Sequence, residues 1–143
     1  MNLLGPILPN KLNILIYNFF LGLLLALSFD PFKIPFASVI AIGLYFLVND
    51  YVFKKFPGQY QLFFYNGVFF GFGFFLLSMY WVSNSIIEFD KNLSFIAPVI
   101  LICFPIGLSF FFGLMQLVSA LVWSNTNSKL FYFSSIWIIF EFL

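Results

Sequence analysis

The sequence predicts an all-α fold, a polytopic transmembrane helix bundle of four complete helices plus the start of a fifth. Three observations predict it. First, 63% of the 143 residues are hydrophobic and 8% are charged, whereas a soluble domain is about half apolar and about a quarter charged. The mean hydropathy is +1.07. So few charges cannot cover a water-facing surface, and lipid accepts the apolar side chains that water would not. Second, the uncharged stretches approach or exceed the roughly 17–25 residues that span a bilayer. Third, the charges fall between these stretches rather than along them.

The elements follow in order. Residues 12–29 form an uncharged run of 18 residues after Lys11. Ala26-Leu27-Ser28 loosely fits a signal-peptidase site. The run is longer than a typical leader core, however, and another apolar run follows at once, so it is read as a retained span. Asp30-Pro31-Phe32-Lys33 makes a four-residue link, which predicts a tight antiparallel hairpin. The second run, residues 34–48, is 15 residues. It gives a helix over about 34–49 with Pro35 in its first turn, and about 22 Å of helix is short for a span.

The third run, residues 62–87, is 26 residues and holds Gly67, Gly71 and Gly73. Gly67 and Gly71 are four apart, so they share a helix face and let another helix approach closely. The hairpin makes the first helix the expected neighbour. Gly71-Phe72-Gly73 lacks the third glycine and the preceding strand of a nucleotide loop. The fourth run, residues 93–123, is 31 residues and carries Pro98 and Pro105. Its helix is placed over about 95–123, beginning properly near Pro98 with the residues before it at the interface. The fifth helix, about 130–143, stops within its span. The whole of 1–143 reads as one membrane domain with no soluble domain.

Lysine placement sets the expected orientation. Lys11, Lys54, Lys55 and Lys129 fall on one side of the alternating loops, and Lys33 and Lys91 on the other. Four against two predicts a cytoplasmic N-terminus in a multi-pass protein. Asp50 with Lys54 and Lys55 reads as a loop charge cluster at the headgroups. Glu88 and Asp90 read as a solvated outer loop. Tyr80-Trp81 fits an interfacial aromatic belt.

Chemistry-bearing patterns are sparse. There is no His, so no Ser-His or Cys-His pair can form. The single cysteine, Cys103, excludes an intrachain disulfide. It lies in an apolar run, where a thiol stays protonated. No catalytic, metal or cofactor site is expected. A net charge of +1 gives no electrostatic basis for a nucleic-acid partner. Glu141 is the one charge that interrupts the last apolar run near its end rather than separating two runs, a position that is either functional or interfacial.

Three ordered blocks carry a family resemblance. They are Leu25-Ala26-Leu27-Ser28-Phe29-Asp30-Pro31-Phe32, then Gly71-Phe72-Gly73-Phe74-Phe75 with Tyr80-Trp81-Val82 and Ser85, then Trp137 with Glu141-Phe142-Leu143. In order and spacing the chain resembles the N-terminal membrane region of bacterial apolipoprotein N-acyltransferase. The resemblance implies a protein of the bacterial inner membrane. It also implies a family whose full members add a periplasmic nitrilase-like domain with a Glu-Lys-Cys triad. That domain takes an acyl chain from a phospholipid and passes it to the amino group of a lipoprotein's diacylglyceryl cysteine. No triad residue maps onto this sequence, and Cys103 is not the family nucleophile. The positions that carry over, as structural or lipid-contacting residues, are Pro31, Phe32, Gly71, Gly73, Tyr80, Trp81, Trp137 and Glu141. The chain is therefore expected to be a truncated or split member, inactive alone. Its expected partners are membrane phospholipid and a separately encoded C-terminal half. The alternative is a small non-enzymatic membrane protein, a transporter or channel subunit. Charge within spans usually marks a transport path, and the first four runs have none.

Overall fold

In the computed structural model, residues 8, 10–80, 88, 97–123 and 128–142 are described. Among these residues five helices run in order: α1 (Lys11–Ala26), α2 (Pro35–Lys55), α3 (Tyr60–Ser78), α4 (Ala97–Val122) and α5 (Lys129–Glu141). No strand occurs among the described residues. The fold is the expected all-α bundle. Among the described residues three helices, α2, α3 and α4, are long and apolar enough to cross a membrane, while α1 and α5 are shorter apolar helices.

The connection between α1 and α2 is a closed turn. Leu27, Ser28 and Phe29 donate backbone N–H groups to Leu24, Leu25 and Ala26, tightening the end of α1. Phe32 and Lys33 both donate to the Phe29 carbonyl at 3.0 Å, and Ile34 reaches back to Leu27 at 3.0 Å. The Asp30–Pro31 peptide is cis, and Lys33 sits at φ 53°. Pro35 then opens α2 at its first position, where its missing N–H removes no helix bond. The second connection turns at Gly58, whose φ of 76° suits a residue without Cβ.

Helix α2 continues past Asn49 to Lys55 and has 21 residues, about 31 Å at 1.5 Å per residue. The run of uncharged residues understated it. Asp50 and Lys54 lie one turn apart within the helix and pair at 2.7 Å, so the charges ride on its last turns rather than in a loop. In α4, Pro98 lies in the first turn and Pro105 within the helix.

Glycines place α3 at the centre. A Cβ on Gly22 would meet the Phe70 carbonyl oxygen and, at 2.8 Å, the Phe74 amide nitrogen; one on Gly73 would meet the Phe19 carbonyl oxygen. These two glycines bring the backbones of α1 and α3 together. A Cβ on Gly67 would meet the Phe112 carbonyl oxygen, and one on Gly71 the Phe112 side chain at 2.8 Å. Gly67 and Gly71 therefore face α4, not α1 as the hairpin suggested. Gly71 and Gly73 are two residues apart, about 200° around the helix, so α3 presents small residues to α1 and α4 from opposite sides.

Candidate functional site

Two features stand out: one charged end of the bundle and a web of aromatic rings through its interior. At the charged end, Asp50 accepts from Lys54 of its own helix and from Lys129 at the start of α5. The Asp50–Lys129 pair is largely covered, with side-chain exposures of 16% and 22%. It ties α2 to α5. Lys55 turns instead to the Tyr51 hydroxyl, at 2.7 Å, and to the Leu8 carbonyl. Lys11 lies 5.6 Å from the Phe56 ring centroid. Lys11, Lys54, Lys55 and Lys129 thus share one end, and the spacing of the apolar runs had grouped the same four. The turn 27–34 marks the opposite end, where Asp30 and Lys33 form an exposed ion pair at 2.9 Å. The neighbouring carboxylate holds the Lys33 ammonium above its ordinary pKa.

The aromatic web begins beside that turn. The Phe29 ring is 5.4 Å from Phe74, Phe74 is 6.0 Å from Phe112, and Phe112 is 5.8 Å from Trp137. Phe70 joins the same group, 6.1 Å from Trp137 and stacked 4.0 Å from Tyr45. The path crosses from the α1–α2 turn through α3 and α4 to α5. It is built of groups that neither donate nor accept protons near neutral pH. What it offers is apolar contact and defined edge-to-face geometry. No group of three metal-ligating side chains occurs among the described residues. Cys103 is exposed on α4. Its helix carries apolar residues such as Val99, Ile102 and Ile106 outward, the surface a bilayer would cover.

Over residues 21–143 the sequence matches the profile of the apolipoprotein N-acyltransferase N-terminal domain. The chain belongs to that family. A search of curated proteins returned no match.

The residues that carry the acyltransferase resemblance separate into places. Pro31 and Phe32 lie in the α1–α2 turn, with the Phe32 ring exposed. Gly71 lies on Phe112, and Trp137 lies on the same ring from α5, so these two motif positions meet through one side chain. Gly73 faces away from them, onto Phe19 of α1. Tyr80 is exposed just beyond α3. Trp81 lies outside the described residues. Glu141 is the last residue of α5. The turn positions and the Gly71–Trp137 position are linked through Phe29, Phe74 and Phe112, none of which the sequence reading singled out as joining them. With 25 phenylalanines in the chain, no single one carried a signal. Gly22 carries little signal in the sequence as well. Its only mark is that it interrupts a run of leucines.

Proposed function

We propose that this chain forms the lipid-embedded part of an apolipoprotein N-acyltransferase system in the bacterial inner membrane, with the Lys55 end facing the cytoplasm. In this reading the helices hold phospholipid and lipoprotein substrates in the bilayer. A nitrilase-like domain supplies the thiol that carries the acyl chain, on the same or a separate chain. The observation that carries the reading is the family match over residues 21–143. The shared lysine end adds support for the orientation. The motif residues then have two roles. Gly71, Gly73 and Trp137 hold the helices in place. Pro31, Phe32, Tyr80 and Glu141 lie toward the outer side, where lipid and a periplasmic domain would meet the bundle.

A chimera tests this. Residues 1–143 replace the corresponding helices of a complete acyltransferase, in cells depleted of their own enzyme. Triacylated lipoprotein, detected by mass spectrometry of the N-terminal peptide, is the expected product. A chimera that inserts and accumulates normally yet leaves every lipoprotein diacylated would refute the proposal. The chain by itself, purified and given phospholipid and a diacylated lipopeptide, is expected to form no triacylated product, because acyl transfer needs an activated nucleophile and donors for the oxyanion.

A further inference from the structure

Four carboxamides are completely enclosed in the bundle: Asn18, Asn49, Asn66 and Gln116, each 0% exposed. They come one each from α1, α2, α3 and α4. They also lie at one depth. Counted from the helix ends at the lysine-bearing face, Asn18 is seven residues from Lys11 (18 − 11), and Asn49 is six from Lys55 (55 − 49). Asn66 is six from Tyr60 (66 − 60), and Gln116 is six from Val122 (122 − 116). At 1.5 Å per residue these are depths of about 9–10.5 Å.

Local packing brings them together. Phe70 is the hub of the layer above. Its carbonyl meets Gly22, its ring stacks on Tyr45, and it lies 5.8 Å from the Phe112 ring. One helical turn from each of these four residues, toward the same end, stands a carboxamide: Asn18 from Gly22, Asn49 from Tyr45, Asn66 from Phe70 and Gln116 from Phe112. Gln116 also lies where a Cβ on Gly67, the residue after Asn66, would meet it at 2.8 Å.

Among the described residues, the polar atoms of this layer have almost no partners. Asn49 donates to the Tyr45 carbonyl one turn back, at 2.9 Å. The Asn49 oxygen and both polar atoms of Asn18, Asn66 and Gln116 are buried with no hydrogen bond in the protein. Buried amides in an apolar medium do not stay unbonded. The unmatched set is four carbonyl oxygens and three NH2 groups. A cation would satisfy only the oxygens, and an anion only the NH2 groups. Water both donates and accepts.

We propose that Asn18, Asn49, Asn66 and Gln116 form an internal hydration site, in which a few enclosed waters bridge four helices within the membrane. Each water makes about three hydrogen bonds there. Because the carboxamides sit at matched heights, the site also fixes the register of the four helices: sliding any helix by one turn would carry its amide out of the layer and into hydrocarbon-like packing.

The test is X-ray hydroxyl-radical footprinting of the full chain in lipid nanodiscs, where radicals form from bound water and oxidise its neighbours. The reporters are Met115, beside Gln116 in the chain and 3% exposed, and Tyr45, 0% exposed. Both are expected to be oxidised although buried. The Asn66→Leu/Gln116→Leu double variant is expected to lower that oxidation by roughly two-fold or more, because it removes half of the carboxamides. Asn66→Leu and Gln116→Leu alone are each expected to lower the melting temperature. Unlabelled Met115 and Tyr45 in the parent protein would overturn the proposal, and this measurement needs no variant to fold. Leu variants that melt at or above the parent temperature would overturn it too, since a dry, unpaired amide is relieved by an apolar replacement.

Discussion

Alanine at Gly67 and at Gly43 should move stability in opposite directions. Both glycines lie within helices, so in each case the substitution removes glycine's backbone flexibility, a gain of about 0.5–1 kcal/mol. At Gly43 nothing lies within 4 Å of the new Cβ, so that gain stands alone. At Gly67 the Cβ would collide with the Phe112 carbonyl oxygen and lie 2.8 Å from Gln116 Cβ. A backbone oxygen cannot rotate aside, so α3 and α4 must part. Overpacking of this kind costs typically 1–3 kcal/mol. Taking the gain from the cost leaves Gly67→Ala destabilised by up to about 2.5 kcal/mol and Gly43→Ala stabilised by about 0.5–1 kcal/mol. The two variants should differ by roughly 1–3 kcal/mol. Reversible unfolding in mixed detergent micelles, followed by tryptophan fluorescence, measures this. If Gly67→Ala is as stable as Gly43→Ala, the backbone-to-backbone crossing of α3 and α4 is wrong.

The covered ion pair and the exposed one should also differ. Lys129→Met leaves the Asp50 carboxylate partly buried with one partner fewer and is expected to lower stability by about 1–2 kcal/mol, between the surface and buried limits. Lys54→Gln, on a side chain 60% exposed, should change stability by less than about 0.5 kcal/mol; equal losses from the two would refute the ranking. For topology, a cysteine replacing Asn92 in a Cys103→Ser background is expected to react with an impermeant maleimide in intact spheroplasts. Reaction only after permeabilisation would reverse the orientation. Gly73→Leu is expected to separate α1 from α3, seen as loss of protection of the 27–34 turn from protease; unchanged protection would show that the crossing does not need the glycine.

Much of the helical layout was readable because charges interrupt apolar runs, and a bilayer enforces that pattern. Lys11, Lys54, Lys55 and Lys129 share an end for the same reason. Where the reading went astray, charge and adjacency were used as stand-ins for packing. Asp50 seemed to end α2, yet a carboxylate held by Lys54 and Lys129 fits in the helix's last turns. Gly67 and Gly71 were matched to α1 because α1 is near in sequence. The contact with α1 is made instead by Gly22 and Gly73, which leaves the other small face to α4. The carboxamide layer was silent because a search for charges passes over Asn and Gln. It becomes visible only when each residue is counted from its helix end, and those ends are known only from the fold. Gly71 and Trp137 were both noted as motif positions, but what joins them is Phe112, one ring among 25 phenylalanines.

The two glycine crossings on α3 also have a mechanical consequence. Where backbone rests on backbone, no layer of rotatable side chains lies between the helices to absorb a slide. α1, α3 and α4 must therefore move as a single stiff plate. α2 and α5 join that plate through the Tyr45–Phe70 stack and the Trp137 edge contacts, and are tied to each other by the Lys129–Asp50 link. Rings can glide across one another, and a lysine can follow its partner through several rotamers, so these joints yield where the glycine joints do not. Among the described helices the yielding joints are thus those of α2 and α5, and a tilt that widens the bundle toward lipid is expected to start there.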